Sequence, residues 1–145
     1  MSEKEDYLKG LSLLSKNESN YPTSPDEAQL ESFENRFQGR DYEITFECPE
    51  FTSLCPVTGQ PDFGTIYITY TPDKKCIESK SLKLYLFSYR TFQTFHEEVV
   101  NRVLNDFVKI CEPKHCTVYG DFCPRGGISL KITAEYDREI DGLPE

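Results

Sequence analysis

Cys55 and Asp62 stand seven residues apart in the stretch PEFTSLCPVTGQPDFG, between two segments with the residue pattern of strands. The stretch is too polar and too rich in Pro and Gly to read as core, so its cysteine is a candidate reactive thiol. A thiolate there is a nucleophile, and a carboxylic acid within hydrogen-bond reach could deliver the proton that a nucleophilic addition requires. Each residue has a plain alternative. Cys55 could be a partly buried loop cysteine without a role, and Asp62, after Gln60-Pro61 and before Gly64, could be an ordinary turn former. Spacing leaves both open.

The other chemistry-bearing groups narrow the field. Six cysteines (48, 55, 76, 111, 116 and 123) in a chain without an export signal read as reduced thiols instead of three bridges. Cys48/Cys55 and Cys116/Cys123 are each separated by six residues, wider than zinc-ligand pairs. Only Cys111, His115 and Cys116 are close enough to suggest ligands, and with no second pair we expect no metal. Cys48, Cys76, Cys111, Cys116 and Cys123 then read as buried small hydrophobes. A net charge of −9 argues against direct contact with nucleic acid or an anionic membrane. The N-terminus has acidic residues where a targeting signal is basic, and no run reaches membrane-spanning length, which predicts a cytoplasmic protein.

The elements that would position these residues begin near Asp41. Residues 1–40 are polar and Pro-bearing without a sustained period and read as an N-terminal arm, leaving 41–145 as a single domain. Tyr42, Ile44 and Phe46 alternate with Glu43, Thr45 and Glu47, the period of a half-buried strand; Thr65–Thr71 is a second strand. The long loop between them predicts a functional segment. Ser81–Arg90 is assigned to helix on its Leu content. Phe95, Val99, Val103, Leu104, Phe107, Val108 and Cys111 fall at helical spacing, with Thr94 as a predicted N-cap, Glu97 completing a capping box and Pro113 ending the helix. Thr117–Phe122 and Ile128–Tyr136 supply two more strands. The order ββααββ predicts an α+β fold, an antiparallel four-stranded sheet with both helices on one face. Its exposed edges predict a homo-oligomer. No GxGxxG loop is present, so a nicotinamide cofactor would need another kind of site.

FECPEFTSLCPVTGQPDF, followed in order by ESKSLKLY, FHE and PRGG, resembles the QueF family of 7-cyano-7-deazaguanine (preQ0) reductases in its short single-module form. The resemblance spans Asp41 to Tyr136. It implies the tunnelling fold (T-fold), rings assembled as stacked pentamers, and active sites where subunits meet. It implies an NADPH-dependent oxidoreductase that converts the nitrile of a 7-deazapurine to an aminomethyl group, with two NADPH per turnover, in queuosine biosynthesis for tRNA modification.

Residue by residue, the resemblance makes Cys55 the nucleophile that forms a covalent thioimidate and Asp62 the proton donor. His96 would orient substrate or assist proton movement, where the ordinary alternative is a partly exposed histidine at a helix start. Glu97 would accept the paired donors of a guanine-like face, where the capping box is its alternative. Ile77, Glu78 and Ser79 would line the substrate pocket. ESKSLKLY is the signature associated with NADPH, so Lys80 and Lys83 would neutralise phosphate charge, where the alternative is solvated lysines. Arg125 would add a phosphate contact, with Gly126 and Gly127 allowing close approach, where the alternative is a simple turn. Two other functions compete: a zinc-dependent pterin or purine cyclohydrolase on the same fold, and a non-catalytic purine-binding module.

Overall fold

The computed structural model describes residues 21–144. Its main sheet is antiparallel, with strands β2 (Ile44–Leu54), β3 (Pro61–Thr71), β5 (His115–Arg125) and β6 (Ile128–Asp137) in the order β2-β3-β5-β6. Two helices lie between β3 and β5 in the chain: α1 (Ser79–Phe87), continued by a 3-10 turn (Ser88–Thr91), and α2 (His96–Cys111). Short strands β1 (Ser32–Glu34) and β4 (Lys75–Ile77) pair beside them, and α3 (Arg138–Asp141) closes the described chain. The expected α+β class with antiparallel pairing is thus present, while β1 and β4 form a second, two-stranded sheet outside the expected four strands. Among the described residues no helix is long and apolar enough to cross a membrane.

One face of the sheet is buried and the other is not, as the two-residue period requires. Ile66, Ile68 and Tyr70 of β3 and Cys116, Val118 and Phe122 of β5 meet Leu82, Tyr85 and Leu86 of α1 and Val99, Val103 and Phe107 of α2 in one core. Burying each large apolar side chain contributes about 1.5–3 kcal/mol, which makes this shared face the main reason the helices dock there. Tyr85 ties them together by donating to Asp106 Oδ2 at 2.6 Å while meeting the Tyr89 hydroxyl at 2.9 Å. Gly64 of β3 is needed for close strand packing: a Cβ there would lie 2.8 Å from the Asp121 carbonyl oxygen.

The strands around Cys55 are longer than the sequence pattern indicates, and the loop between them is short. β2 continues through Pro49 because Cys48 faces Ile66 and Phe51 faces Gly64, so Pro49 and Glu50 together oppose Thr65 as a bulge. Pro49 sits where no ladder donor is required, on an edge strand, and Pro61 opens β3 for the same reason. Only residues 55–60 remain as loop.

Within the segment read as an arm, residues 21–40 are packed on the domain. Leu30 and Asn35 are buried, β1 pairs with β4, and Asn35 accepts from the Tyr42 hydroxyl at 2.6 Å while donating to the Asp73 carbonyl at 2.7 Å. Residues 1–20 lie outside the described residues.

Candidate functional site

Cys55 begins the tight loop from β2 to β3. Its N–H donates to the Gln60 carbonyl at 2.9 Å, and its own carbonyl accepts from Gly59 N–H at 2.8 Å, with Gly59 at φ 72°. This ring of backbone bonds turns the Thr58 hydroxyl and the Thr58 and Val57 N–H groups toward the sulfur, and together they hold the Cys55 thiol below its ordinary range. Partial burial and the charge of Asp62 oppose them. The core cysteines move the other way: burial, with the charge of Glu47, pushes Cys48 up to about 11, and burial pushes Cys111 and Cys116 up to about 12. Cys55 is therefore set apart from these cysteines as a nucleophile.

Burial was expected for the other five, and Cys76, Cys111 and Cys116 meet it, while Cys48 is half-buried. Cys123 is exposed, a correction: it lies near the end of β5, beyond the covered part of that strand. The close trio of Cys111, His115 and Cys116 is divided. Cys111 donates to the Lys75 carbonyl at 3.2 Å from the end of α2, and His115 and Cys116, adjacent on a strand, point to opposite faces.

Asp62 is on β3, not in a turn. It pairs across the ladder with Ser53 and is 6 % exposed. Its Oδ1 lies 2.5 Å from Arg125 Nη1, and its Oδ2 lies 3.3 Å from His96 Nε2. The second contact is not aligned as a hydrogen bond, and His96 Nε2 has no other partner among the described residues. The Ser53 hydroxyl is likewise buried and unpartnered.

The chain from Phe92 to Thr94 runs beside the end of β2 and brings α2 to this point. Leu54 N–H donates to the Phe92 carbonyl and Thr94 N–H to the Leu54 carbonyl, each at 3.0 Å. His96 is then the first residue of α2, its ring stacked on Phe122 of β5. The predicted capping box is absent. Phe95 occupies the N-cap position without a side-chain bond, and Thr94 Oγ1 instead donates to Glu98 at 3.0 Å. That hydroxyl is buried with the strand-like segment before the helix, one residue too early to cap it. Glu97 is left exposed in the first turn, where the helix dipole favours its charge, and its carboxylate makes no hydrogen bond among the described residues.

Arg125 ends β5 and faces Ile128 across the two-residue turn Gly126-Gly127, whose φ angles are 60° and 79°. Besides Asp62 it donates to Gln60 Oε1. The residues read as a phosphate-binding turn thus form a hairpin tip whose arginine points back to the loop of Cys55.

The remaining sequence-derived residues stand elsewhere. Ile77 is buried, its N–H donating to the Tyr70 hydroxyl at 3.0 Å. Tyr70 lies eight residues along β3 from Asp62, about 26 Å at strand rise. Glu78 is the N-cap of α1, its carboxylate accepting from Lys80 N–H at 2.8 Å and Ser81 N–H at 2.7 Å. Ser79 and Lys83 are exposed, and they border a cavity of about 280 Å³ between α1 and the bulged part of β2, lined also by Thr52, Leu86, Phe87 and Arg90. One chain brings Cys55, Asp62, His96 and Arg125 together, while Ile77 meets Tyr70 near the opposite end of β3 and Ser79 stands at the cavity that Thr52 also lines.

The family model described as QueF-like protein matches residues 61–141. The NADPH-dependent 7-cyano-7-deazaguanine reductase of Streptococcus mutans is 54 % identical over 138 residues, covering 95 % of this chain and 84 % of that protein. The chain belongs to the QueF family. The reductase of the same name from Bacillus velezensis is 51 % identical over 138 residues, with 95 % and 84 % covered. The crystal structure of an apo archaeosine synthase of QueF-like type matches with a TM-score of 0.58 at 20 % identity, covering 66 % of this chain and 91 % of that one, a likeness of fold.

The QueF reading did not anticipate four contributors to the site. Thr58 and the Val57 amide act on the sulfur, Gln60 braces Arg125, and Phe122 carries His96. A threonine three residues after a loop cysteine, just before a glycine, is the one local signal among them.

Proposed function

We propose that this QueF-family chain is an NADPH-dependent 7-cyano-7-deazaguanine reductase acting through a covalent thioimidate on Cys55, with its product destined for queuosine. The observation that carries the reading is the meeting of a thiol held below its usual range with a buried carboxylate and an imidazole at the end of β3. A nitrile carbon accepts hydride reluctantly, and thiolate addition makes it trigonal and more polarised. Cys55 sulfur forms the bond to carbon, and the proton delivered to nitrogen comes through Asp62. His96 stands on the other side of Asp62, placed to share in proton movement. Glu97, exposed and uncommitted beside it, has the acceptor pair that a guanine-like face requires.

NADPH, two per nitrile, supplies the hydrides when bound. Lys80 and Lys83 would hold its phosphates by charge, and the apolar floor of the cavity beside Ser79 and Lys83 fits a flat ring system.

The fold we assign is the T-fold, assembled as stacked pentameric rings. Two features support the assembly. Ile77 meets Tyr70, eight residues along β3 from Asp62, so a neighbouring subunit would bring its own Ile77–Ser79 to Cys55. Val57, Phe63, Phe95 and Ile128, all at least half exposed, lie within three residues of Cys55, Asp62, His96 and Arg125 respectively, an apolar rim suited to burial by that neighbour.

The test is to mix protein, NADPH and the nitrile and follow nicotinamide absorbance, with mass spectrometry for the adduct. The expected count is two NADPH per nitrile, with adduct and turnover both lost in Cys55→Ala. An active Cys55→Ala protein would refute the mechanism, and ligand binding without NADPH oxidation would refute the enzyme.

A further inference from the structure

Both oxygens of Asp62 face a cationic or potentially cationic group, Arg125 on one side and His96 on the other. The carboxylate is nearly covered, at 7 % side-chain exposure, while Arg125 retains 42 %. With one end of its guanidinium on Asp62 and the other on Gln60, Arg125 bridges the β5–β6 hairpin to the loop that carries Cys55. The Gly126-Gly127 turn sets the direction of that arginine, since both residues take the positive φ that a two-residue hairpin needs. A guanidinium at hydrogen-bond distance from a buried carboxylate fixes its orientation through a charge-assisted hydrogen bond.

We propose that Arg125 is a positioning residue that holds Asp62 as an oriented carboxylate, and that this, rather than binding of cofactor phosphate, is its function; the proposal rests on the reductase reading above. Asp62 then acts first as a base. It takes the proton of the Cys55 thiol as the sulfur–carbon bond forms, one π pair of the nitrile moves onto nitrogen, and Asp62 gives the same proton to that nitrogen. Thiol and nitrile become thioimidate with no net change in protons or electrons. The groups facing Asp62 are Arg125 from β5, His96 from α2 and Cys55 from the loop; the Gln60 side chain is neutral and accepts from Arg125.

The test compares Arg125→Met, Arg125→Lys and Gln60→Leu with the parent protein, reading adduct formation by mass spectrometry across pH without NADPH and the KM for NADPH in turnover. Arg125→Met should slow adduct formation by about tenfold at each pH tested. Arg125→Lys should recover much of the rate, Gln60→Leu should show a smaller change in the same direction, and KM for NADPH should stay within about twofold. An unchanged adduct profile in Arg125→Met with KM for NADPH raised about tenfold would overturn the proposal. Should Arg125→Met fail to fold by circular dichroism, Gln60→Leu decides, because Gln60 is exposed; an unchanged profile there overturns it equally. If the parent protein forms no adduct, the reductase reading fails by itself. Iodoacetamide alkylation of Cys55 then reads the same arrangement, moving to higher pH in Arg125→Met because Asp62 loses its counter-charge, and identical alkylation profiles would count against Arg125.

Discussion

The imidazole of His96 lies flat on the Phe122 ring, with centroids 4.0 Å apart and planes 5° from parallel. Phe122 is itself fixed. It is 1 % exposed, and a Cβ on Gly120 would come within 2.7 Å of its ring, so the ring fills the space that the glycine leaves. The histidine is thus oriented by packing as well as by its place at the start of α2.

Replacing Phe122 by Leu removes this platform while keeping the site apolar. We expect a stability loss of about 1–2 kcal/mol by denaturant unfolding. Turnover should fall by about tenfold with little change in KM, because a misplaced imidazole impairs the reacting geometry more than binding. Steady-state kinetics on folded protein at matched temperature checks this, and unchanged turnover would remove His96 orientation from the mechanism.

Thr58→Val deletes the hydroxyl that leads the stabilisation of the Cys55 thiolate. The sign follows directly: a thiol held low is ionised at lower pH, so losing the donor must move alkylation of Cys55 to higher pH. The Thr58 and Val57 amides remain, so the shift should be partial. Iodoacetamide rates across pH measure it, and coincident profiles would show that the hydroxyl does not act on the sulfur.

Asp73 and Arg138 give a prediction about stability alone. Arg138 Nη1 donates to Asp73 Oδ2 at 2.7 Å, and its Nη2 donates to the carbonyl of Glu112, the left-handed residue that ends α2. The hydrogen bond and charge of Arg138 hold the Asp73 carboxyl below the usual carboxylate range. A carboxylate depressed in the folded state stabilises above its unfolded pKa, and that contribution disappears as pH falls through the folded value. Asp73→Asn should therefore cost about 1 kcal/mol at neutral pH, a figure reduced for partial exposure. The difference from the parent protein should shrink in acid. Urea unfolding at several pH values tests it; a difference independent of pH would mean the ion pair is not its source.

Much of the architecture was legible because alternation and helical spacing record which face is buried. Ile66, Ile68 and Tyr70, and Val99, Val103 and Phe107, announce their faces directly. The Cys55 loop was misjudged because proline normally ends a strand, and only register reveals that Pro49 occupies a bulge. Thr94 and Glu97 satisfied the spacing of a capping box, but the backbone bonds between Thr94 and Leu54 delay the helix by one residue. The loop context brought Cys55 and Asp62 to attention, and the family resemblance gave them roles and added His96. Their mutual placement, and the turn of Arg125 toward Asp62, depend on three segments meeting at one end of the sheet, which no local pattern records.

The distance along β3 between Asp62 and the Tyr70 contact to Ile77 has a consequence for how the proposed assembly would behave in a test tube. Catalysis would be a collective property, and specific activity should decline on dilution below the concentration at which rings dissociate, with each chain still folded. Two inactive proteins, one damaged at Cys55 and the other at Ser79, should regain activity when their subunits are exchanged. In the mixed ring some interfaces join the intact half of one to the intact half of the other, so defects in different chains complement while defects in the same half do not.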